Sequence, residues 1–476
     1  MQGTTAPRVR VFPGRRRICD AEPVDILDEL RDLIGADQVS TAPERLEAYR
    51  YDLSRDPAAQ TPLAVVRPVT AEQVQQTMKW AAAQRIPVIP RGAGTSLSGG
   101  ASAQQGSIVL ALDRMTGIAI DPDTRTAVVE PGALNIAVKQ AAAEHGLWYP
   151  PDPSSVEISS IGGNVATNAG GLCCVKYGVT RDYVLGLDVV LADGRLARLG
   201  GPRLKDVAGL SLLQLFVGSE GTLGVVTRIV LRLVPELPPP ATLVALFATP
   251  DEAAAAVVET CSAVRPSMVE LMDNASINAV EDFQSMGLDR AAGALLLIQT
   301  DAPGAARELE LEVAQRACEK HGATAVFSTD DPEEAQMFVA ARRAIFPALD
   351  RLGPLMLEDV GVPLPALPAL VRGIGAIAQR HRLRIPVVAH AGDGNTHPII
   401  VLDPADPDCR DRAALAYDEI MRLALSLDGT ITGEHGIGRI KRPWLAEQLG
   451  PDVMDLHARI KNALDPDGLL NPGAGY

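Results

Sequence analysis

The sequence predicts an α+β fold divided into more than one domain. Three observations carry this. The 476 residues exceed what one hydrophobic core usually organises. Helical and strand-like hydrophobic periods are interspersed along the chain rather than segregated. The stretch "VPELPPPA" (234–241) holds four prolines and reads as a linker, after which strand–helix alternation sets in.

In chain order, residues 26–48 carry a helical pattern. Within "PVTAEQVQQTMKWAAAQRIPVIPRGAGTS" (68–96), Thr70 and Gln73 form a capping box for a helix running to about Gln84. Pro87 to Pro90 then reads as extended, leading into a glycine-rich turn. "SIVLALDRM", "GIAID" and "TAVVEPG" read as short strands, and "ALNIAVKQAAAEHG" as a helix ending at Gly146. "VLGLDVVLADGRLARLG" (184–200) is a hairpin turning at Asp193-Gly194, and "GTLGVVTRIVLRLVP" (221–235) a strand. Beyond the linker, "LVALFATPDEAAAAVVETCSAV" and "GALLLIQTDAPGAARELELEVAQRACEKHG" are strand–helix units. A helix over 332–345, strands within 386–402, a helix over 412–427 and the loop "TITGEHGIGRIK" follow.

Composition narrows the function. The net charge is 44 − 59 = −15, which makes nucleic acid a poor partner. No apolar run approaches the ~20 residues of a spanning helix. Arg15-Arg16-Arg17 lacks the long apolar stretch that an export signal needs after it, so residues 1–22 read as a flexible extension and the expected location is cytoplasmic. None of the six cysteines makes a C-x-x-C pair, which removes support for zinc ribbons and iron–sulfur clusters. Adjacent Cys173 and Cys174 read as reduced thiols.

"PRGAGTSLSGG" (90–100) is neither a Rossmann fingerprint nor a P-loop: Leu97 stands where the third glycine belongs, and the P-loop lysine is missing. What remains, within Pro90, Arg91, Gly92, Ala93, Gly94, Thr95 and Ser96 to Gly99, is a loop of exposed backbone N–H groups beside Arg91, Thr95 and Ser96, suited to a pyrophosphate. "DPSSVEISSIGGNVATNAGGLCCVKYG" (152–178) and "GSEGTLGVV" (218–226) are two further glycine-rich segments. Glycines let backbone lie against a flat ligand, so three such segments imply a long molecule such as a dinucleotide.

Two histidines flank a tight turn in "VVAHAGDGNTHPII" (387–400). A hairpin with residues 392–395 as its loop would place His390 directly across from His397, within reach of one metal ion. On spacing alone, two hydrogen-bonded histidines in a turn fit equally well. "TITGEHGIGR" (430–439) adds Glu434, and two histidines with one carboxylate leave open positions on a metal, as catalytic sites do. Arg342 and Arg343 read either as a solvated helical face or, for one of them, as a bidentate carboxylate anchor.

"PRGAGTSLSGGA", "PPDPSS", "SIGGNVATNAGG", "KYG" and "GSEGTLG" resemble the FAD-binding domain of the vanillyl-alcohol oxidase superfamily. With "ELMDNASINAVEDF" (270–283) and "HAGDGNTHP" (390–398), the whole chain after residue 25 resembles the D-2-hydroxyacid branch: FAD-linked glycolate oxidase subunits and D-lactate dehydrogenases. The resemblance implies a two-part PCMH-type FAD-binding domain (23–237), an α+β cap domain with a mainly antiparallel sheet (241–430), and a C-terminal segment (431–476) returning to the FAD domain. It implies FAD with its pyrophosphate on Arg91–Ser96. Further contacts fall at Pro153, Ser154, Ser155, Gly162, Gly163, Asn164, Asn168, Gly170, Gly171, Tyr177, Gly178, Glu220, Gly221, Gly224, Val225 and Asn471. No histidine occurs between 90 and 144, so the flavin is expected to be noncovalent.

The same resemblance makes His390, His397 and Glu434 ligands of a divalent ion, zinc first, with manganese or iron as alternatives. It makes His435 the catalytic base and Arg342 the substrate arginine. The activity implied is oxidation of a small 2-hydroxy acid, with electrons passed to a quinone, a cytochrome or partner subunits. A homodimer and peripheral membrane association through partners are compatible with it. Two positions depart from the 2-hydroxyglutarate branch: Ile399 replaces an asparagine and Leu357 a lysine, which favours a short substrate such as glycolate or D-lactate. A 2-hydroxyglutarate-type dehydrogenase and an FAD-binding accessory subunit are the alternative readings.

Overall fold

The computed structural model describes residues 26–476. The extension 1–22, with Arg15-Arg16-Arg17 and Cys19, lies outside the described residues.

Two sheets form the first half. In one, Ala64–Val66 and Val88–Arg91 flank Ile108–Ala111 in parallel, with Val39–Ser40 antiparallel at the edge. The helix Ala71–Gln84 covers this sheet through Val74, Met78 and Ala81, all fully buried. The other is a five-stranded antiparallel sheet ordered Ile118–Asp121, Thr126–Val129, Val225–Arg232, Val184–Val190, Leu196–Gly200. The hairpin turns at Asp193-Gly194 as expected, with Gly194 at φ 79.

Two local expectations are corrected. Residues 26–48 are not one helix. Asp28–Ile34 stops at Gly35, whose φ of 96 breaks the helix, and Val39–Ser40 pairs with Val65 and Val66 before a second helix, Pro43–Ala48. Pairing with a buried strand outweighs local propensity there. The capping box is only half formed: Thr70 Oγ1 accepts from the Gln73 N–H, but Gln73 Oε1 reaches the Val69 N–H instead of that of Thr70.

The second half is built on one large sheet whose strands all pair antiparallel: Ala325–Thr329, Ala241–Phe247, Ala294–Thr300, Met268–Asp273, Val387–His390, Asn395–Val401, Leu355–Leu357. Both faces are covered, so the strands read as continuous apolar runs. Alternate residues still part to opposite faces. Leu271, Leu296 and Ala389 meet the helices Pro250–Ala263, Leu367–His381 and Cys409–Ser426, while Met272, Leu297 and Val388 meet Ile345 and Ala348. The second face also carries Glu270, His390 and His397, and it looks toward the glycine-rich loops of the first half.

The last residues contact that first half. Leu470 bridges to Val88, Asn471 Nδ2 donates to the carbonyls of Gly100 and Glu220, and Lys461 Nζ donates to the carbonyl of Thr222.

Candidate active site

The histidine hairpin closes one residue earlier than its spacing suggests. Ala391 to Asp393 form a 3-10 turn, Gly394 takes φ 80, and the Asp393 carboxylate accepts the Asn395 N–H. The register therefore pairs His390 with Asn395 and His397 with Val388. His390 and His397 are diagonal neighbours on one face rather than directly opposed, a separation long side chains still bridge. Their ring centroids lie 5.0 Å apart.

Glu434 completes the cluster. Its Oε1 stands 3.2 Å from His390 Nε2 and 3.2 Å from His397 Nε2, with His435 Nε2 at 3.8 Å. His435 stacks on His397, with centroids 4.9 Å apart and planes inclined by 12°. Two donor sets could hold a metal ion: His390, His397 and Glu434, or Asp359, His397 and His435. The first fits better, because Asp359 is already committed through one oxygen to the loop and to Lys441. Its Oδ2 accepts from the N–H groups of Gly433, Glu434 and His435, from the Thr432 hydroxyl and from Lys441 Nζ.

Charge supports a cation at this point. Burial alone would lower the His390 pKa, yet Glu270 and Glu434 on either side hold it well above the ordinary range. Burial would raise that of Glu434, but His390 and His397 hold it well below. A centre flanked by these carboxylates favours positive charge. His390 Nδ1 is 2.7 Å from Glu270 Oε1, the carboxylate–histidine support typical of metal ligands. Burial pushes His435 down to about 4 against the pull of Asp359, so its imidazole is neutral at pH 7.

Arg342 faces the same cavity from the helix Pro332–Arg343. Its Nε donates to Glu270 Oε2 at 2.7 Å, and its buried Nη2 has no partner. Glu270, 1% exposed, thus joins the arginine to a histidine of the cluster. Arg343 is exposed but also borders the cavity.

That cavity encloses about 1980 Å³ of empty space, part of it open to solvent. Pro90 through Ser96, Pro153, Ser154, Ser155, Gly162, Gly163, Asn164, Glu220, Gly221, Gly224 and Val225 line it together with Arg342, His397, Glu434 and His435. The glycine cradle is tight: a Cβ on Gly92 would meet Ser160 Oγ at 2.3 Å, and one on Gly162 would meet Pro131 Cβ at 2.6 Å. Ser160 Oγ accepts the Ala93 N–H and so pins the first loop to the second segment. Seven further positions expected to contact the cofactor do not line this cavity. Gly99 gives its carbonyl to Arg439, Asn168 ends a helix, and Gly178 turns the chain behind Tyr177. The Tyr177 hydroxyl pairs with Asp301, and Asn471 ties the C-terminal segment to Gly100 and Glu220. Gly170 and Gly171 line a separate cavity behind His390. Cys173 and Cys174 are free thiols.

Glu270, Asp359 and Lys441 were not singled out from sequence. One signal exists: an acid inside the apolar strand run "MVELMD" (268–273), which burial alone would forbid. Glu220, expected as a cofactor contact, also clamps the loop that carries Glu434 and His435, its carboxylate accepting the N–H groups of Ile437 and Gly438 at 2.7 Å each.

Comparison with known proteins bears on this arrangement. Residues 62–200 match the FAD binding domain family, and residues 239–474 match the C-terminal domain of FAD linked oxidases. The glycolate oxidase subunit GlcD of Bacillus subtilis is 40% identical over 453 residues, covering 94% of this chain and 96% of that protein. The chain belongs to the FAD-linked oxidase family of glycolate oxidase subunits and D-lactate dehydrogenases. Within this family, the D-lactate dehydrogenase of Archaeoglobus fulgidus is 35% identical, covering 90% of this chain and 95% of that protein. This FAD-linked oxidase is an FAD-dependent oxidoreductase. Its fold is that of p-cresol methylhydroxylase, with a TM-score of 0.78 at 19% identity over 94% of this chain and 95% of that one. Alkyldihydroxyacetonephosphate synthase shares it at a TM-score of 0.73 and 18% identity, over 96% and 87% of the two chains.

Proposed function

We propose that this FAD-linked oxidase converts a short 2-hydroxy acid, glycolate or D-lactate, to its 2-oxo acid. The observation that carries the reading is one cavity shared by the glycine loops, the His397–Glu434–His435 cluster and the free edge of Arg342. FAD held in the glycine cradle would supply the two-electron acceptor for this oxidation. His390, His397 and Glu434 would hold a divalent ion, which would supply Lewis acidity toward the substrate hydroxyl. Arg342 binds the substrate carboxylate through the guanidinium edge that Glu270 leaves free, which orients the Cα–H bond. His435 Nε2 takes the hydroxyl proton.

Leu357 and Ile399 both line the cavity as apolar groups, which disfavours a second substrate carboxylate and hence a 2-hydroxyglutarate-type activity. A quinone, a cytochrome or partner subunits would serve as the final electron acceptor, and the relatives named as glycolate oxidase subunits favour the last. Residues 23–237 act as the FAD-binding part, 241–430 as the cap and 431–476 as the strap between them. We place the enzyme in the cytoplasm; no described helix is long and apolar enough to cross a membrane.

Anaerobic mixing of the yellow protein with glycolate or D-lactate should bleach the flavin, and prior chelation of divalent ions should suppress the bleaching. Retention of colour with every 2-hydroxy acid tested would refute the assignment. Replacing Glu270 with Gln should weaken ion retention about 10–100-fold, as loss of a ligand's supporting carboxylate does, measured as metal content after dialysis against a chelator. An unchanged metal content would remove Glu270 from that role.

A further inference from the structure

The large sheet of the second half ends at Ala325–Thr329, which pairs with Ala241–Phe247 on one side and with no described strand on the other. An open edge of backbone N–H and C=O groups is a template for another strand, and folded proteins blunt it with charge, shortness or a cover. The other edges among the described residues are blunted in these ways. Val39–Ser40, Leu147–Trp148 and Val234–Pro235 have two residues each, and Leu470 bridges to Val88 along the edge strand Val88–Arg91. Ile118–Asp121 ends in an exposed Asp121, and Leu196–Gly200 carries an exposed Arg198. Leu355–Leu357, at the far end of the large sheet, has three residues, and Leu357 borders the flavin cavity. Ala325–Thr329 has five residues, none of them charged and none proline.

This edge is also apolar. Phe327 is 45% exposed, with its ring centroid 5.8 Å from that of Phe338 on the helix Pro332–Arg343, and the neighbouring Met337 is exposed as well. Val326 turns to the opposite face and packs on the core there. No residue of this strand lines the flavin cavity, so the substrate chemistry gives it nothing to do.

The strand is complementary to itself. About a two-fold axis at Phe327, antiparallel pairing sets Phe327 against Phe327, Val326 against Ser328 and Ala325 against Thr329, with no charge facing a like charge. Its two ends differ in sign. Exposed Asp330 and Asp331 follow it, whereas Lys320, which shares its ammonium with Glu259, precedes it. Antiparallel pairing carries the acidic end of each copy toward the lysine end of the other.

We infer that two copies of this chain join edge to edge through Ala325–Thr329, on a two-fold axis at Phe327, so that their large sheets run on as one. Each copy keeps its own flavin cavity, which Leu357 borders at the other end of the sheet.

Light scattering on the FAD-loaded protein after size exclusion should give twice the 50.3 kDa of one chain. Ala325→Glu with Thr329→Glu sets carboxylate against carboxylate twice across the axis. It should raise the dimer dissociation constant about tenfold or more, with flavin content unchanged, because like charges directly opposed destabilise a strand pair. Ala325→Lys with Thr329→Glu sets lysine against glutamate in the same register and should restore the dimer, which a variant damaged only in its fold would not do. Single-chain mass for the unaltered protein at every concentration would overturn the inference. So would a double-glutamate variant that dimerises as tightly as the unaltered protein, since the contact would then lie elsewhere. Loss of the dimer in both variants alike, with full flavin content, would overturn the register at Phe327.

Discussion

Alanine in place of His435 should lower the rate of flavin reduction by a 2-hydroxy acid about 10²–10⁴-fold, the range typical of a lost general base. The flavin should stay bound. His435 is held by its backbone, not its ring: its N–H donates to Asp359 at 2.9 Å and its carbonyl accepts the Ser98 hydroxyl at 3.1 Å. Truncating the imidazole leaves both bonds and removes only the group over the cavity. The ring's Nδ1 has no partner, so no buried donor or acceptor is stranded elsewhere. Stopped-flow reduction under anaerobic conditions, with FAD content measured on the same sample, checks this. Near wild-type reduction with full flavin content would assign proton removal to another group, and it would also suit a protein that carries FAD only to assemble a complex.

Replacing Asp359 with alanine should destabilise the fold by about 3–5 kcal/mol, the usual cost of removing one partner of a buried ion pair. Asp359 is fully buried and Lys441 is 1% exposed, with Nζ 3.2 Å from Oδ2. Burial opposes the Asp359 charge, but Lys441, with His435 and His397, holds its pKa well below the ordinary carboxylate value. The sign follows: a depressed native pKa adds stability above the unfolded value, and that stability is lost as pH falls through the native one. The variant would strand the ammonium and leave unpaired three backbone N–H groups of the loop that presents Glu434 and His435. Denaturant midpoints would show the loss, and replacing Lys441 with Met as well should restore part of it. A shift below 1 kcal/mol would mean that water replaces the carboxylate at little cost.

Most element types, the glycine-rich loops and the residues that meet in the cluster were legible in the sequence. Gly92, Gly94 and Gly162 are legible because only glycine tolerates such close backbone approach, and His390, His397 and Glu434 because histidines flanking a turn, with an acid in a glycine loop, suit a metal. Alternation along the sheet strands also follows from sequence, since side chains part to opposite faces at every second residue. Tertiary structure alone decided the rest. Whether the hairpin closed at Gly394 or one residue later depended on a turn conformation, and that choice shifted the pairing of His390 by two residues. Tyr177 and Asn471 sit in motif-like positions but spend their side chains on other contacts, a matter of which loops meet. Glu270, Asp359 and Lys441 lie 72, 76 and 82 positions from their partners Arg342, His435 and Asp359. A charge is tolerated in a core only beside a countercharge, and no local pattern records which distant strand will bring one.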